Sequence, residues 1–484
     1  MANARSTLLT AQSLDSADAS HTHLPSVDPE KQPLGVPARC DGTQGNAQVL
    51  SDGGFVFSVE KGTGATGCLP CGWQNAALQL AAQDIVGATV RKSTSFIVWY
   101  CPAKALKPGQ SIRKLRKSPA YQCSSAAEAE NIVQRLRSAA AWKGAAQPRR
   151  IVAIVNPKSG QGKSAKNFAK VVQPIFDAAG LVVIVHQTQH AGHATELAQQ
   201  LDLAGCDALV MVGGDGTVFE ALQGYFKRPD WQQAVKLPFA LLPSGSGNAL
   251  AANTGCWDLV TAAHAVCKGV EAPLDIVSVL QPSPTPRRFY SFLSLTYGMI
   301  ASLDIGTESL RWMGGLRFTY GAFFQIMKRQ AWDIRAAILP ASNAAASTSP
   351  PDSSGTADNA HSVEEVSRAQ GWRGLGADRV QLFAACNLPF LDLHFKIAPE
   401  AGLNTGAMSV IHTPRSTRAQ GFHMMYRAEL GTHMELGRVQ HEKVVAMVLE
   451  PVSKDTWLVL DGEVIPSERI FAEVHRGLCR VLVA

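Results

Sequence analysis

The sequence predicts a mixed α/β and all-β protein. It reads as an α/β lobe on a largely parallel, three-layer sheet, then an antiparallel β-sandwich lobe, with a β-rich module in front. Three observations carry this. Between residues 150 and 244, buried-strand runs alternate with helical patterns. From about residue 272, strand patterns succeed one another with no helical partners. Before residue 124, the strand patterns are short and parted by Gly- and Pro-containing turns.

Taken in order, residues 1–46 are rich in Ser, Ala, Asp and Pro without periodicity and are expected to be disordered. The module spans 47–147. Its strand runs are "AQVLSDGGFVFSVE", "IVGATVRK" and "TSFIVWYC", closed by a helical pattern at 124–144 through Ile132, Val133, Leu136 and Ala139. Several strands closed by one helix is the order of a pleckstrin-homology-like module, and a plain β-rich extension is the alternative reading. The α/β lobe, 148–271, has strands "RIVAIVN", "LVVIVHQT", "ALVMVGG" and "PFALLPS", apolar and β-branched as buried parallel strands are. Between them lie the helical runs "KNFAKVVQPIFDAAG", "HATELAQQLDLAG" and "VFEALQGYFK". The sandwich lobe, 272–484, begins at "DIVSVLQ" and ends at "LCRVLVA". A Ser-, Pro- and Ala-rich stretch at 340–370 reads as a flexible surface insert.

Bulk properties exclude several classes. The 484 residues suffice for two or three domains, and 46% hydrophobic with 17% charged residues is ordinary for a soluble protein. A net charge of +6 favours an anionic membrane surface and is too small to argue for nucleic acid. The apolar run at 289–303 is too short to cross a bilayer. No signal pattern opens the chain, and Asp15 and Asp18 argue against a transit peptide. The expected location is cytoplasmic, peripheral on intracellular membranes, with the choice between monomer and dimer open. Cys68 and Cys71 form a C-x-x-C that could be half a zinc site or a redox pair, with Cys101 and Cys123 to complete it; reduced thiols in a turn are the simpler reading.

One junction recurs three times in the α/β lobe: strand, glycine-rich turn, helix. The cases are "IVNPKSGQG", "VMVGGDGTVFEAL" and "LLPSGSGNALAA". In an open parallel sheet such turns share the carboxyl edge, where ligands bind, and amides at helix starts favour anions. The first loop ends like a P-loop at Gly162, Lys163 and Ser164, but Pro157 stands where the first glycine should be. It is therefore expected to form one wall of a three-loop phosphate site, with Lys163 a solvated first-turn lysine. Asp215, inside "GGDGT", could cap the following helix; it also suits an acceptor-orienting carboxylate or an Mg²⁺ ligand.

Together these residues resemble the diacylglycerol-kinase-like lipid kinases and, within them, the sphingosine kinases. The shared signature is Asn156 and Pro157, the turn Gly214–Thr217, "PSGSGNALAA" at 243–252, the segment 292–324 and "LDGE" at 460–463. The resemblance covers about residues 150–484. It implies ATP, Mg²⁺, a two-lobed fold and phosphorylation of the primary hydroxyl of a sphingoid long-chain base. It places Asp215 as the catalytic aspartate. Asn156, Pro157, Ser159, Gly160, Thr188, Gly214, Gly216, Thr217, Gly245, Ser246, Gly247, Arg311, Arg317, Gly462 and Glu463 fall where ATP is bound. Asp304 falls on the reader of the lipid head, with Leu293, Thr296, Met299, Ile300, Leu303, Phe318 and Ala322 around the acceptor. Asp461 falls on a metal-linked aspartate. Ser302 and Gly306 replace acidic residues common nearby, and Ala322 is small where Thr is frequent, which leaves chain-length preference open.

Read without the family, Asp304 is a helix N-cap, and Arg311 and Arg317 are surface arginines. One carboxylate among apolar Leu293, Leu295, Met299, Ile300, Leu303 and Phe318, however, suits an amphiphile with a cationic head. Two arginines six apart could converge on one triphosphate. The rival readings are a diacylglycerol or ceramide kinase on the same scaffold, and a weakly active lipid-binding adaptor.

Overall fold

The computed structural model describes residues 33–484 apart from 42, 60–76, 108–109, 141–147, 283–284, 314–315, 344–361 and 454. Alternation builds the first part. Strand Leu34–Cys40 buries Val36, Ala38 and Cys40 on one face. An antiparallel sheet runs outward from it. Thr43–Val49, Phe55–Val59 and Ala77–Leu80 lie on one side, and Tyr121–Cys123, Ser95–Tyr100 and Ile85–Arg91 on the other. Helix Ala126–Ala140 sets Ile132, Val133 and Leu136 into a core where Phe55, Phe57 and Phe96 gather around Tyr121. The expectation of disorder through residue 46 is corrected from Leu34 onward. The buried positions there are mostly small residues in a Gly-, Pro- and Gln-containing run, which hides the two-residue period. Residues 1–32 lie outside the described residues, as do Cys68 and Cys71.

In the next part four strands run parallel in the order Val182–Gln187, Arg150–Val155, Ala208–Gly213, Phe239–Pro243. Val182–Gln187 is the end strand and exposes Val182, Ile184 and Val185, so its β-branched run is not a buried one as expected. Helices Gln173–Ala179, His193–Gln199, Asp215–Phe226 and Leu259–Lys268 complete the α/β part.

The later strands are antiparallel and are hydrogen-bonded into the same sheet as the parallel ones. Ile470–Leu482, 13 residues long, pairs with Glu271–Gln281 along most of its length and with Gln440–Pro451 near its start. Near its end it joins the parallel sheet through Phe239 and Val481. The ladder then continues through Met408–Thr413, Leu382–Cys386, Ser294–Gly298, Leu458–Leu460 and Glu463–Ile465. One sheet and one apolar core therefore cross both parts, because a single long strand can serve three neighbours. Of the insert expected at 340–370, residues 344–361 lie outside the described residues. The segment directly after them is ordered: Ser362 and Glu365 form a capping box on helix Val363–Val366, and Val363 packs on Ala337 and Val448.

The β-rich module is bound closely to the α/β part. Lys268 Nζ donates to the carbonyls of Ala82 (2.9 Å) and Ile85 (2.6 Å), and His264 Nε2 bonds the Gln83 carbonyl at 2.9 Å. The Arg113 amide donates to Thr261 Oγ1 at 2.9 Å. Val86 and Cys101 belong to the main core rather than to the module's own. Among the described residues, no helix is long and apolar enough to cross a membrane.

Candidate active site

The three glycine loops meet at the carboxyl edge of the parallel strands. In the first, Gly160, Gln161 and Gly162 take positive φ in succession, a left-handed run that favours glycine. The Asn156 carboxamide oxygen accepts the Lys158 amide at 3.0 Å, and Ser164 Oγ donates to the Asn156 carbonyl. In the second and third, the amides of Ser244 (2.8 Å) and Gly245 (2.9 Å) donate to the Gly213 carbonyl. A Cβ on Gly245 would lie 2.6 Å from the Gly214 Cα, and one on Gly160 would lie 2.8 Å from the Ser244 carbonyl oxygen. These glycines thus let loop pack on loop, a role additional to any approach of a ligand.

Asn248, which carries no signal in the sequence beyond its place in the motif, closes the third loop. Its side chain accepts the Gly245 amide and donates to the Gly245 carbonyl, both at 2.8 Å, with its own φ at +54°. It sets the start of helix Ala249–Asn253, whose first two amides donate to Asp215: Ala249 at 2.8 Å and Leu250 at 3.0 Å. Asp215, at the start of its own helix, is therefore gripped by the start of helix Ala249–Asn253. Burial pushes its carboxyl above the ordinary range, those amides pull it back, and the Asp304 charge adds to the rise.

Opposite stands the turn Asp461–Glu463. Asp461 is buried, with φ at +50°. Its oxygens accept Ser291 Oγ (2.6 Å) and the amides of Phe292 (2.9 Å), Leu293 (3.0 Å) and Ser294 (2.8 Å). Burial pushes its carboxyl up to about 6, against those four donors. Oδ1 takes three of those donors and Oδ2 only the Phe292 amide, so the carboxylate ties this turn to the strand start at Ser294. Next in the chain, Gly462 sits beside Asp304, where an added Cβ would be 3.6 Å from Oδ2. Gly216 faces Glu463, whose Oε1 would be 2.7 Å from a Cβ there.

Asp304 lies on helix Met299–Gly306. Buried Arg317 donates to its Oδ1 at 3.2 Å and to its carbonyl at 3.4 Å. The two residues assigned by resemblance to lipid head and phosphate thus pair with each other. One cavity of about 1710 Å³ joins the loops to the acceptor segment. Asn156, Ser159, Gly160, Thr188, Gly214, Asp215, Gly216, Thr217, Gly245, Ser246 and Gly247 line it, as do Asp461, Gly462 and Glu463. So do Leu293, Thr296, Met299, Ile300, Leu303, Asp304, Arg317 and Ala322. Pro157 is not in its wall, and the Arg311 and Phe318 side chains lie outside the described residues. Lys163 is exposed, as read from sequence. The cavity also recruits Ile326, Met424 and the loop Phe390–Ile397, none of which carries a motif. Asn253 anchors that loop, its side chain exchanging two bonds with the Phe390 backbone at 2.9 and 3.0 Å.

Residues 150–279 match the diacylglycerol kinase catalytic domain. Human sphingosine kinase 1 is 31% identical over 345 residues, 68% of this chain and 89% of that protein. Sphingoid long chain base kinase 4 of Schizosaccharomyces pombe is 29% identical over 342 residues, 68% of this chain and 73% of that protein. A crystal structure of a diacylglycerol kinase homologue from Bacillus anthracis str. Sterne shares the fold, with TM-score 0.52 and 16% identity, covering 71% of this chain and 98% of that one. Carrying the catalytic domain and the three loops that edge its sheet, the chain belongs to the diacylglycerol kinase family and is an ATP-dependent lipid kinase.

Proposed function

We propose that the chain phosphorylates the primary hydroxyl of a sphingoid long-chain base, giving the base 1-phosphate. The observation that carries this is the single cavity: glycine loops at one end, an apolar compartment at the other, and Asp304 between them. The similarity to sphingosine and sphingoid-base kinases supports it. The hydroxyl oxygen attacks the γ-phosphorus as its proton passes to Asp215, and the bond to the bridging oxygen breaks to release ADP. Amides of the three loops and Arg317 stabilise the charge on the transferring group. Arg311 is assigned there with Arg317.

The Asp304–Arg317 pair suits both assigned roles. Triphosphate draws Arg317 away by bidentate contact, and the freed carboxylate then meets the ammonium of the base. The Mg²⁺ that the family's use of ATP implies would be held by Glu463, a carboxylate in the cavity wall, and would neutralise charge on the phosphates. We further read 148–271 as the nucleotide-binding lobe, 272–484 as the lipid-binding lobe, and the strands and closing helix ahead of them as a pleckstrin-homology-like module that meets an anionic membrane surface.

Purified protein with radiolabelled ATP, offered sphingosine, phytosphingosine, ceramide and diacylglycerol in mixed micelles, tests the reading. A free sphingoid base should take the label best. Preference for ceramide or diacylglycerol would refute the assignment, and no labelled lipid at all would favour the adaptor. Asp304→Asn should cut kcat/KM on sphingosine by at least roughly tenfold and leave an acylated analogue little changed, since a charge-assisted hydrogen bond is typically worth about 1.5–3 kcal/mol.

A further inference from the structure

The nucleotide end of the cavity has a wall that the matched region does not supply. Hairpin strands Ala103–Lys107 and Gln110–Arg113 belong to the β-rich module, ahead of residue 150 where the catalytic-domain match begins. Lys107 and Gln110 nevertheless line the same cavity as Asn156, Lys158 and Gly160.

The hairpin is held in place. Strand Gln110–Arg113 packs on helix Leu259–Lys268, and that helix packs on the segment Phe168–Val172, which comes after the first loop in the chain. Arg113 fixes its base: the amide bonds Thr261, and the guanidinium donates to Asp84 Oδ1 at 2.8 Å and to the Cys101 carbonyl at 2.6 Å. That packing ties the hairpin to the flank of the segment that follows the first loop.

Charge gives that placement meaning. A nucleoside triphosphate brings several negative charges to this flank. Of the other lysines and arginines lining the cavity, the first loop supplies Lys158, Lys396 lies over the Phe390 ring, and Arg317 is engaged by Asp304. Lys107 is exposed and makes no ion pair among the described residues.

We infer that the β-rich module completes the nucleotide site, with Lys107 contacting the phosphates of bound ATP. The module is then part of the enzyme's substrate-binding surface as well as a neighbour of it. The inference rests on the nucleotide reading of the cleft, and its test separates the two.

Full-length protein is titrated calorimetrically with a non-hydrolysable ATP analogue and with adenosine, which has no phosphate. Lys107→Ala should weaken the analogue about three- to tenfold, Lys107→Glu more, and Lys107→Arg should restore it. The loss of affinity with added salt should be shallower in Lys107→Ala than in wild type, while adenosine is bound alike by all. If wild type binds the analogue and the three variants match it, or if adenosine weakens in parallel, the inference is wrong. If wild type binds no analogue, the nucleotide reading of the cleft fails first and the inference falls with it.

Discussion

Asp215 combines a catalytic assignment with a structural grip on Ala249 and Leu250. Asp215→Asn should lower kcat roughly a hundredfold or more, as expected on losing a general base. The carboxamide also turns one donor toward those amides, so a modest drop in thermal midpoint should accompany the kinetic loss. Near-normal turnover would remove Asp215 from the chemistry. Its environment makes a second claim. The carboxyl is raised by burial and by Asp304, and a base works only when deprotonated, so activity should fall as pH drops through that raised value. Asp304→Asn removes one cause, so the acid limb of its kcat profile should move to lower pH; an unmoved limb would mean that another group sets it. Asp461 behaves differently. Its folded value of about 6 lies above the ordinary carboxylate range near 4, so the native state binds its proton first. The group's contribution to stability is then greatest below about pH 4 and declines, by about 3 kcal/mol in all, as pH rises through 6. Asp461→Asn should flatten that slope in urea unfolding at several pH values. At neutral pH it should also cost about 1–3 kcal/mol, because an amide donor replaces an acceptor facing protein donors.

At the scale of elements, the loops explain what was legible and what was not. Three strand–glycine–helix junctions could be read directly, because glycine spacing and buried-strand composition are local signals. That the glycines of two loops pack on each other could not, since the contact between Gly214 and Gly245 joins turns that follow different strands. Asn248 escaped for a related reason: its left-handed turn serves helix Ala249–Asn253, which in turn serves Asp215. Gly245→Ala should therefore force the second and third loops apart, weakening ATP affinity and costing about 1–3 kcal/mol as overpacking does. Calorimetry and thermal unfolding would check both effects, and unchanged ATP affinity would separate loop packing from nucleotide binding. Gly216→Asp should abolish nucleotide binding more completely, because its new carboxylate meets that of Glu463. A retained nanomolar-to-micromolar ATP isotherm would contradict it. The strand Leu34–Cys40 was missed because alternation among small residues carries little hydrophobic contrast.

At the scale of the whole molecule, the boundary near residue 148 falls beside 141–147, outside the described residues, yet the contacts on either side of it are extensive. Half-buried Lys268 and buried His264 hold module carbonyls, and Val86 and Cys101 sit in the main core. A fragment of residues 148–484 should unfold at a clearly lower temperature than the full chain, or aggregate, because it leaves that helix face uncovered. Equal thermal midpoints for fragment and full chain would show the module to be separable. Sequence composition suggests that boundary, but composition says nothing of what packs across it. The same limit applied to the later strands: each run was recognisable, and their union into one ladder was not.

The pairing of Phe239 with Val481 has a consequence for synthesis. The strand Phe239–Pro243 has one neighbour, Ala208–Gly213, made shortly before it, and another that does not exist until some 240 further residues have been translated. Until residue 482 emerges, the glycine loops sit on a sheet with an open edge, and that edge invites intermolecular pairing. Nascent chains arrested before the last strand should therefore associate with holdase chaperones and be protease-sensitive across residues 239–268. Chains released past it should acquire protection in a single late step, as befits a fold dominated by distant contacts.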